Sequence, residues 1–227
     1  MTKIIHQTWK DQNLPVEVAA FQQTWKANHP NWEYRFWTDE DNREFLQTHY
    51  SWFLPIYDSY ENKICRVDAV RYFILSYYGG VFIDLDFECL RPLDDLLNGK
   101  ELVLGLEPSA HVNSPMVQAR GLKHIVCPSL MASQPNHPFW QHIWQYLVEN
   151  HRRLDPLEAT GPFLLTRAYD SYQDKNSVTL VDAQLLYPAT IFDRWEGKLE
   201  DSAFRQKITE GAFAIHYWHG TWLRNVD

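Results

Sequence analysis

Apolar positions along this chain recur in two rhythms. From Val16 to Asn28 they fall at Val18, Phe21 and Trp25, spacings of three and four that predict an amphipathic helix, stopped by His29-Pro30-Asn31. From about Asn62 to Tyr78 the same rhythm runs through Ile64, Val67, Val70, Ile74 and Tyr77 and predicts a second long helix with one apolar face. Short apolar or alternating runs at residues 3–9 and 32–37 read instead as strands. A strand that starts this early is expected to lie centrally, with Trp9 at its end. Thr38 or Asp39 would cap a helix from about Glu40 to Thr48, and a shorter one follows around Trp52 to Ser59. The order β-α-β-α predicts a parallel sheet with helices packed on it.

Further along, Leu102 to Leu106 and Ile125 to Met131 read as strands, the second demoted by Pro128 to an edge or a bend. Residues 107–120 are polar and irregular, a candidate mobile loop over a site. Pro138 opens a helix whose face is Phe139, Ile143, Trp144 and Leu147. Leu154 to Thr160 reads as a loop, and Thr160-Gly161-Pro162 opens a helix over Phe163 to Tyr169. That start is either ordinary or a set of free N–H groups facing an oxygen-rich ligand. Val178–Leu180 and Leu185–Tyr187 look like short strands, and a last apolar run, Ala212 to Trp218, delivers His216 and His219. Neither a repeat nor a linker is visible, so residues 1–227 read as a single domain.

One stretch organises the rest: Gly79-Gly80-Val81-Phe82-Ile83-Asp84-Leu85-Asp86. Gly79 is a natural helix cap, and the apolar triplet reads as a buried strand. Alternation along a strand would put Asp84 and Asp86 on one side. Two carboxylates there repel each other and lose solvation, and a divalent cation relieves both problems. The expected place is the carboxyl end of a central strand, where open α/β sheets bind ligands. The bland alternative is a strand running out into a solvated acidic turn. Asp68 and Arg71 are neighbours on the preceding helix, either as a surface ion pair or beside the same crevice. Trp9 would either stack on a nucleotide base or pack at the rim.

Composition narrows the partners. The chain has 227 residues, 45% hydrophobic and 22% charged, which places it among ordinary globular proteins. A net charge of -8 argues against nucleic-acid binding. Aromatics at 15%, with ten Trp, favour flat ligands or a large core. Three scattered Cys, without a Cys-x-x-Cys pair, favour neither a zinc site nor disulfides, and they fit a reducing compartment. No apolar run reaches the length of a signal peptide core or a membrane span. The expectation is a cytoplasmic protein, compatible with peripheral membrane contact.

Five motifs occur together and in order: Lys3 to Trp9, Asp68-x-x-Arg71-Tyr72, Gly79-Gly80-Val81-Phe82-x-Asp84-x-Asp86, Thr160-Gly161-Pro162, and His216-x-x-x-Gly220-Thr221-Trp222. In this combination the chain resembles the glycosyltransferases of family 32, which include yeast-type mannosyltransferases and bacterial capsule-type sugar transferases. More distantly it resembles the clostridial glucosylating toxins. Residues 107–130 match least. The resemblance implies an α/β GT-A fold of Rossmann type, a nucleotide-sugar donor, Mn²⁺ or Mg²⁺, and transfer with retention. It also implies roles. Trp9 would stack on the base, with Gly80 among the donor-binding residues. Asp68 and Arg71 would hold the transferred sugar and the diphosphate. Asp84 would contact the ribose and the metal, and Asp86 would ligate the metal. His216 is the third metal ligand, with His219 competing. Thr221 and Trp222, standing where Ser-Trp is common, would touch the diphosphate.

Breaking a sugar–phosphate bond leaves negative charge on the diphosphate, which a metal and Arg71 can stabilise. Asp84, Asp86 and Arg71 are therefore the catalytic candidates, acting on a UDP- or GDP-linked hexose and a glycan, lipid or protein acceptor. Two rivals remain at this stage. One is an Asp-x-Asp metal-dependent phosphohydrolase, poorly served by Phe87-Glu88-Cys89 after the second aspartate. The other is a non-catalytic sugar-binding protein.

Overall fold

The structure, a computed structural model, describes residues 1–220. The chain begins with β1 (Ile4–Thr8), α1 (Val16–Asn28), β2 (Glu33–Trp37) and α2 (Asp39–His49). Thr38 caps α2 in a reciprocal box with Asp41, as the acidic first turn foretold. Then come α3 (Leu54–Ser59), α4 (Lys63–Tyr78), β3 (Gly80–Ile83), β4 (Phe87–Cys89), α5 (Asp94–Leu97) and β5 (Leu102–Leu106). Two short helices, α6 (Ser109–Val112) and α7 (Pro115–Gln118), precede β6 (Val126–Ser133) and α8 (Phe139–Asn150). The remainder is α9 (Pro156–Ala159), α10 (Pro162–Ser171), β7 (Val178–Val181), α11 (Ala183–Leu186), α12 (Ile191–Trp195), α13 (Ser202–Ile208) and β8 (Ala214–His216).

Six strands form one sheet in the order β2-β1-β3-β6-β5-β7, and β4 pairs with β8 in a separate two-stranded sheet. The β1–β2, β1–β3 and β5–β7 pairs are parallel, whereas β6 runs antiparallel to both its neighbours. The sheet is thus mostly parallel, with one reversed interior strand. Side-chain alternation divides the core between its faces. Phe82, Leu104 and Met131 pack with α4, α8 and α10 on one face. Val81, Ile83 and Val103 pack with Trp25 and the β4 region on the other.

One of two alternatives at Pro128 holds, and three other expectations need correction. Of the edge and the bend that Pro128 allowed, the structure shows the bend: β6 is interior, and its register slips between Leu104 and Gly105 of β5, so the proline occupies a bulge where its missing N–H costs no ladder bond. The 107–120 stretch is folded into α6 and α7, with His111 and Val117 buried, and it is not an irregular lid. Residues 185–187 fall in and after the turn α11, capped by Asp182, rather than in a strand. Residues 154–160 contain α9, which Asp155 caps.

The long helix α4 also differs from its pattern. All residues from Asp68 to Ser76 are buried, so it is a central helix without a solvent stripe, and Tyr77, expected on the apolar face, is 43% exposed. Asp68 and Arg71 therefore cannot form the surface ion pair that their spacing alone allowed. Among the described residues no helix is long and apolar enough to cross a membrane.

Gly79 caps α4 with φ at 64°, its N–H reaching Leu75 O at 2.9 Å. Gly80 follows with φ at 87°, and a Cβ there would lie 2.5 Å from Ile4 O. This pair of left-handed residues lets α4 return directly into β3 while β1 presses against it.

Candidate functional site

Parallel pairing brings the carboxyl ends of β1 and β3 to one edge of the sheet. Ile5 lies opposite Val81 and His6 opposite Phe82, so Thr8 and Trp9 approach the level of Asp84 and Leu85. Gln7 Nε2 donates to Asp84 O at 3.4 Å, and Tyr34 Oη donates to Gln7 Oε1 at 2.7 Å. Trp9 is half-buried, and its Nε1 finds no partner among the described residues.

The strand ends at Ile83, and Asp84 to Phe87 form a turn in which Phe87 N donates to Asp84 O at 3.3 Å. Asp84 and Asp86 therefore do not share one face of a strand, as simple alternation required. Their carboxylates converge because the chain turns. Asp84 stays on the α4 side of the sheet, and Asp86 meets the last strand.

On the α4 side, Arg71 is 2% exposed and reaches three acceptors. Its Nη2 lies 2.7 Å from Asp68 Oδ1, while its Nη1 lies 3.2 Å from Asp84 Oδ1 and 2.8 Å from Pro128 O. The bulge in β6 turns Pro128 O toward the guanidinium, and Asp84 N donates to Ser129 O at 2.8 Å. Burial pushes Asp68 up to about 6, only partly opposed by Arg71. Burial likewise raises Asp84 against the pull of Arg71, and the nearby charge of Asp86 raises it further.

On the other side, β8 supplies His216, whose register partner is Phe87. His216 Nε2 lies 3.0 Å from Asp86 Oδ1, and His219 N donates to Asp86 Oδ2 at 2.8 Å. Although burial works against the charged form, His216 and the His219 amide hold Asp86 well below the usual carboxylate range. His219 turns its own Nε2 away, to 3.3 Å from Glu17 Oε1 on α1. Tyr217 stacks on Phe21 with centroids 4.6 Å apart, which docks the segment on α1.

Asp84, Asp86 and His216 each offer a ligand atom, all within 4.8 Å of one another. Two carboxylates and one imidazole suit a first-row divalent ion such as Mn²⁺, and three protein ligands leave positions open for a ligand's oxygens. The His216 Nδ1 atom is buried without a partner among the described residues.

The structure thus brings Asp68, Arg71, Asp84, Asp86 and His216 together, with Trp9 at the same edge. Gly80 is not among them: it begins β3, at the far end of the strand from the carboxylates, and is required by the approach of Ile4. At Gly161, the N–H is taken by Pro156 O at 2.9 Å, so the opening of α10 behaves as an ordinary helix start there. Thr221 and Trp222 lie outside the described residues. Sequence reasoning missed Pro128 O, Ser129 O and the His219 amide. All three act through the main chain, and only Pro128 left a signal, as a proline inside a strand pattern.

Residues 15–103 match the model of the glycosyltransferase sugar-binding region containing the DXD motif. Inositol phosphoceramide mannosyltransferase 3 of Schizosaccharomyces pombe is 40% identical over 171 residues, which are 75% of this chain and 45% of that protein. Inositol phosphoceramide mannosyltransferase 2 of the same yeast is 32% identical over 228 residues, 98% of this chain and 58% of that protein. The chain spans about half the length of these curated relatives. Among solved structures, the PaToxG glycosyltransferase superposes with a TM-score of 0.55 at 16% identity, covering 92% of this chain and 84% of that one. The galactosyltransferase LgtC superposes with a TM-score of 0.51 at 14% identity, covering 96% and 87%. At such identities the two superpositions establish the fold, which is the GT-A arrangement.

Proposed function

For this GT-A chain, whose residues 15–103 carry the DXD-containing sugar-binding region of glycosyltransferases, we propose retaining, metal-dependent transfer of a hexose. The donor is a UDP- or GDP-linked sugar and the acceptor a hydroxyl of a glycan, lipid or protein. The observation that supports this best is the Asp84–Asp86–His216 cluster lying beside Arg71 at the carboxyl edge of the sheet.

Asp84, Asp86 and His216 would hold Mn²⁺ or Mg²⁺, which supplies Lewis-acid stabilisation to the departing diphosphate. Arg71, fixed by Asp68 and Pro128 O, presents a charge that needs no reorganisation as the leaving group develops its own. Asp68 is held in place to accept hydrogen bonds from the sugar's hydroxyls. Trp9 offers its ring to the base, and the Thr221-Trp222 pair is proposed, from its motif alone, for the diphosphate. In the front-face route, the bond from C1 to the phosphate oxygen breaks and the acceptor oxygen bonds C1 on the same face. The acceptor's proton passes to the released phosphate oxygen, so no further carboxylate base is required.

The mannosyltransferase names of the yeast relatives make GDP-mannose the first donor to try and an inositol phosphoceramide the first acceptor. The test is a panel of nucleotide sugars with Mn²⁺, reading sugar transfer, donor hydrolysis and thermal shift. Metal-dependent transfer from one donor is expected. Release of phosphate from simple esters without sugar transfer would overturn the reading in favour of a phosphohydrolase. Glycan binding that needs neither metal nor nucleotide would do so in favour of a sugar-binding protein.

A further inference from the structure

Trp218 has a backbone φ of 52°, the left-handed region that a bulky side chain rarely enters. Such a conformation is strained and persists only where its surroundings impose it. Here the surroundings are specific. The indole Nε1 donates to Ala189 O at 2.9 Å. The His111 ring meets the indole edge-on, with centroids 4.7 Å apart. His111 is itself fixed: its Nε2 accepts from Ile191 N at 2.9 Å, so its proton sits on Nδ1, 2.8 Å from Glu107 Oε2. An imidazole with both nitrogens engaged cannot rotate without losing a buried bond.

The left-handed residue lies between two groups that act on one carboxylate. His216, two residues earlier, places Nε2 on Asp86 Oδ1, and His219, one residue later, places its N–H on Asp86 Oδ2. An extended residue at 218 would carry the His219 amide away from Asp86. The indole also covers the His216 ring, with centroids 4.2 Å apart, while Phe87 stacks on the imidazole at 4.4 Å. Two aromatic rings thus pack directly against the imidazole.

We propose that Trp218, braced by the Glu107–His111 pair and Ala189 O, is a positioning residue that imposes the left-handed turn and clamps His216 in its cation-ligating orientation. This rests on the proposed function, because it gives His216 the role of a ligand. Its effect is on metal affinity. Groups that orient a metal ligand change affinity 10–100-fold when lost.

The test titrates the metal-free protein with Mn²⁺, following free Mn²⁺ by EPR, alongside thermal unfolding in chelator. Trp218→Gly accepts the left-handed backbone but deletes both the clamp and the Ala189 bond, and its Mn²⁺ Kd is expected to rise at least about tenfold. Trp218→Phe keeps a ring against His216 and His111, and its Kd is expected to stay within about threefold of the parent. Thermal midpoints in chelator follow a different order, because loss of the bond to Ala189 O weakens both variants. Wild-type affinity in the glycine variant would overturn the clamp while leaving the metal reading intact. So would equal weakening in both variants. Failure of the parent itself to bind Mn²⁺ would remove the metal reading and the clamp together.

Discussion

His216 Nε2 stands 3.0 Å from Asp86 Oδ1, joining the turn after β3 to the last strand of the described chain. The contact is built by the β4–β8 pair, in which His216 lies opposite Phe87, the residue next to Asp86. A single backbone pairing therefore sets the distance between two candidate metal ligands 130 positions apart in the sequence.

Asp86→Asn removes half the charge of the carboxylate pair and one anionic ligand. Transfer is expected to fall on the order of 10²–10³-fold. Mn²⁺ should no longer be retained after gel filtration, with circular dichroism unchanged. EDTA should abolish transfer by the parent, and Mn²⁺ should restore it. Undiminished transfer by the variant would remove the cation from the mechanism.

Arg71→Met leaves a buried Asp68 and a half-buried Asp84 without their shared cation. Loss of one partner of a buried pair costs about 3–5 kcal/mol, measurable as a shift of the urea midpoint. Arg71→Lys keeps the charge but cannot span Asp68, Asp84 and Pro128 O at once. It is expected to be more stable than the methionine variant and still impaired in transfer by at least about 100-fold.

Gly80→Ala tests packing alone. The new methyl group would meet Ile4 O at 2.5 Å and would require the left-handed backbone besides. We expect destabilisation of more than about 1 kcal/mol, seen in the urea midpoint. The donor KM of the folded fraction should be unchanged. A raised KM at unchanged stability would return Gly80 to the donor site.

His6 carries a pH signature. It is fully buried, and burial lowers it to about 4, despite the contact of its Nε2 with Gly79 O at 3.0 Å. Between that value and its unfolded value near 6.5, the unfolded chain binds more protons than the folded one, so stability rises with pH through this window. The contribution is complete above about pH 6.5, and up to about 3 kcal/mol is lost by about pH 4. Urea denaturation at pH 7.5 and 5.0 should give a steeper loss for the parent than for His6→Gln.

How much of this was legible depended on the range of the interaction. The α1 helix ends where its spacing predicts, at Val16 and Asn28, because its limits are set by Pro15 and by His29-Pro30 beside it. The α4 helix was visible by the same rhythm, but its burial on all sides was not. Burial depends on α8 and α10 arriving far later in the chain. Asp84, Asp86, Arg71 and His216 were legible as chemistry in the sequence. The turn that makes the two aspartates converge, and the β6 bulge that aims Pro128 O at Arg71, are main-chain events without a residue code. Gly80 shows the opposite limit: a need set by a neighbouring strand, the approach of Ile4 O, left no mark that distinguished it from a ligand's need.

The small β4–β8 ribbon has a consequence for assembly. It shares no ladder with the six-stranded sheet, so the sheet's own pairing does not depend on its closing. A nascent chain emerging from the ribosome exposes Asp84 and Asp86 long before β8 exists. Until β8 docks and brings His216, an ion would be held by two carboxylates alone. Competence to retain a cation would thus wait for β8 to pair with β4, as a latch that closes on a scaffold already built.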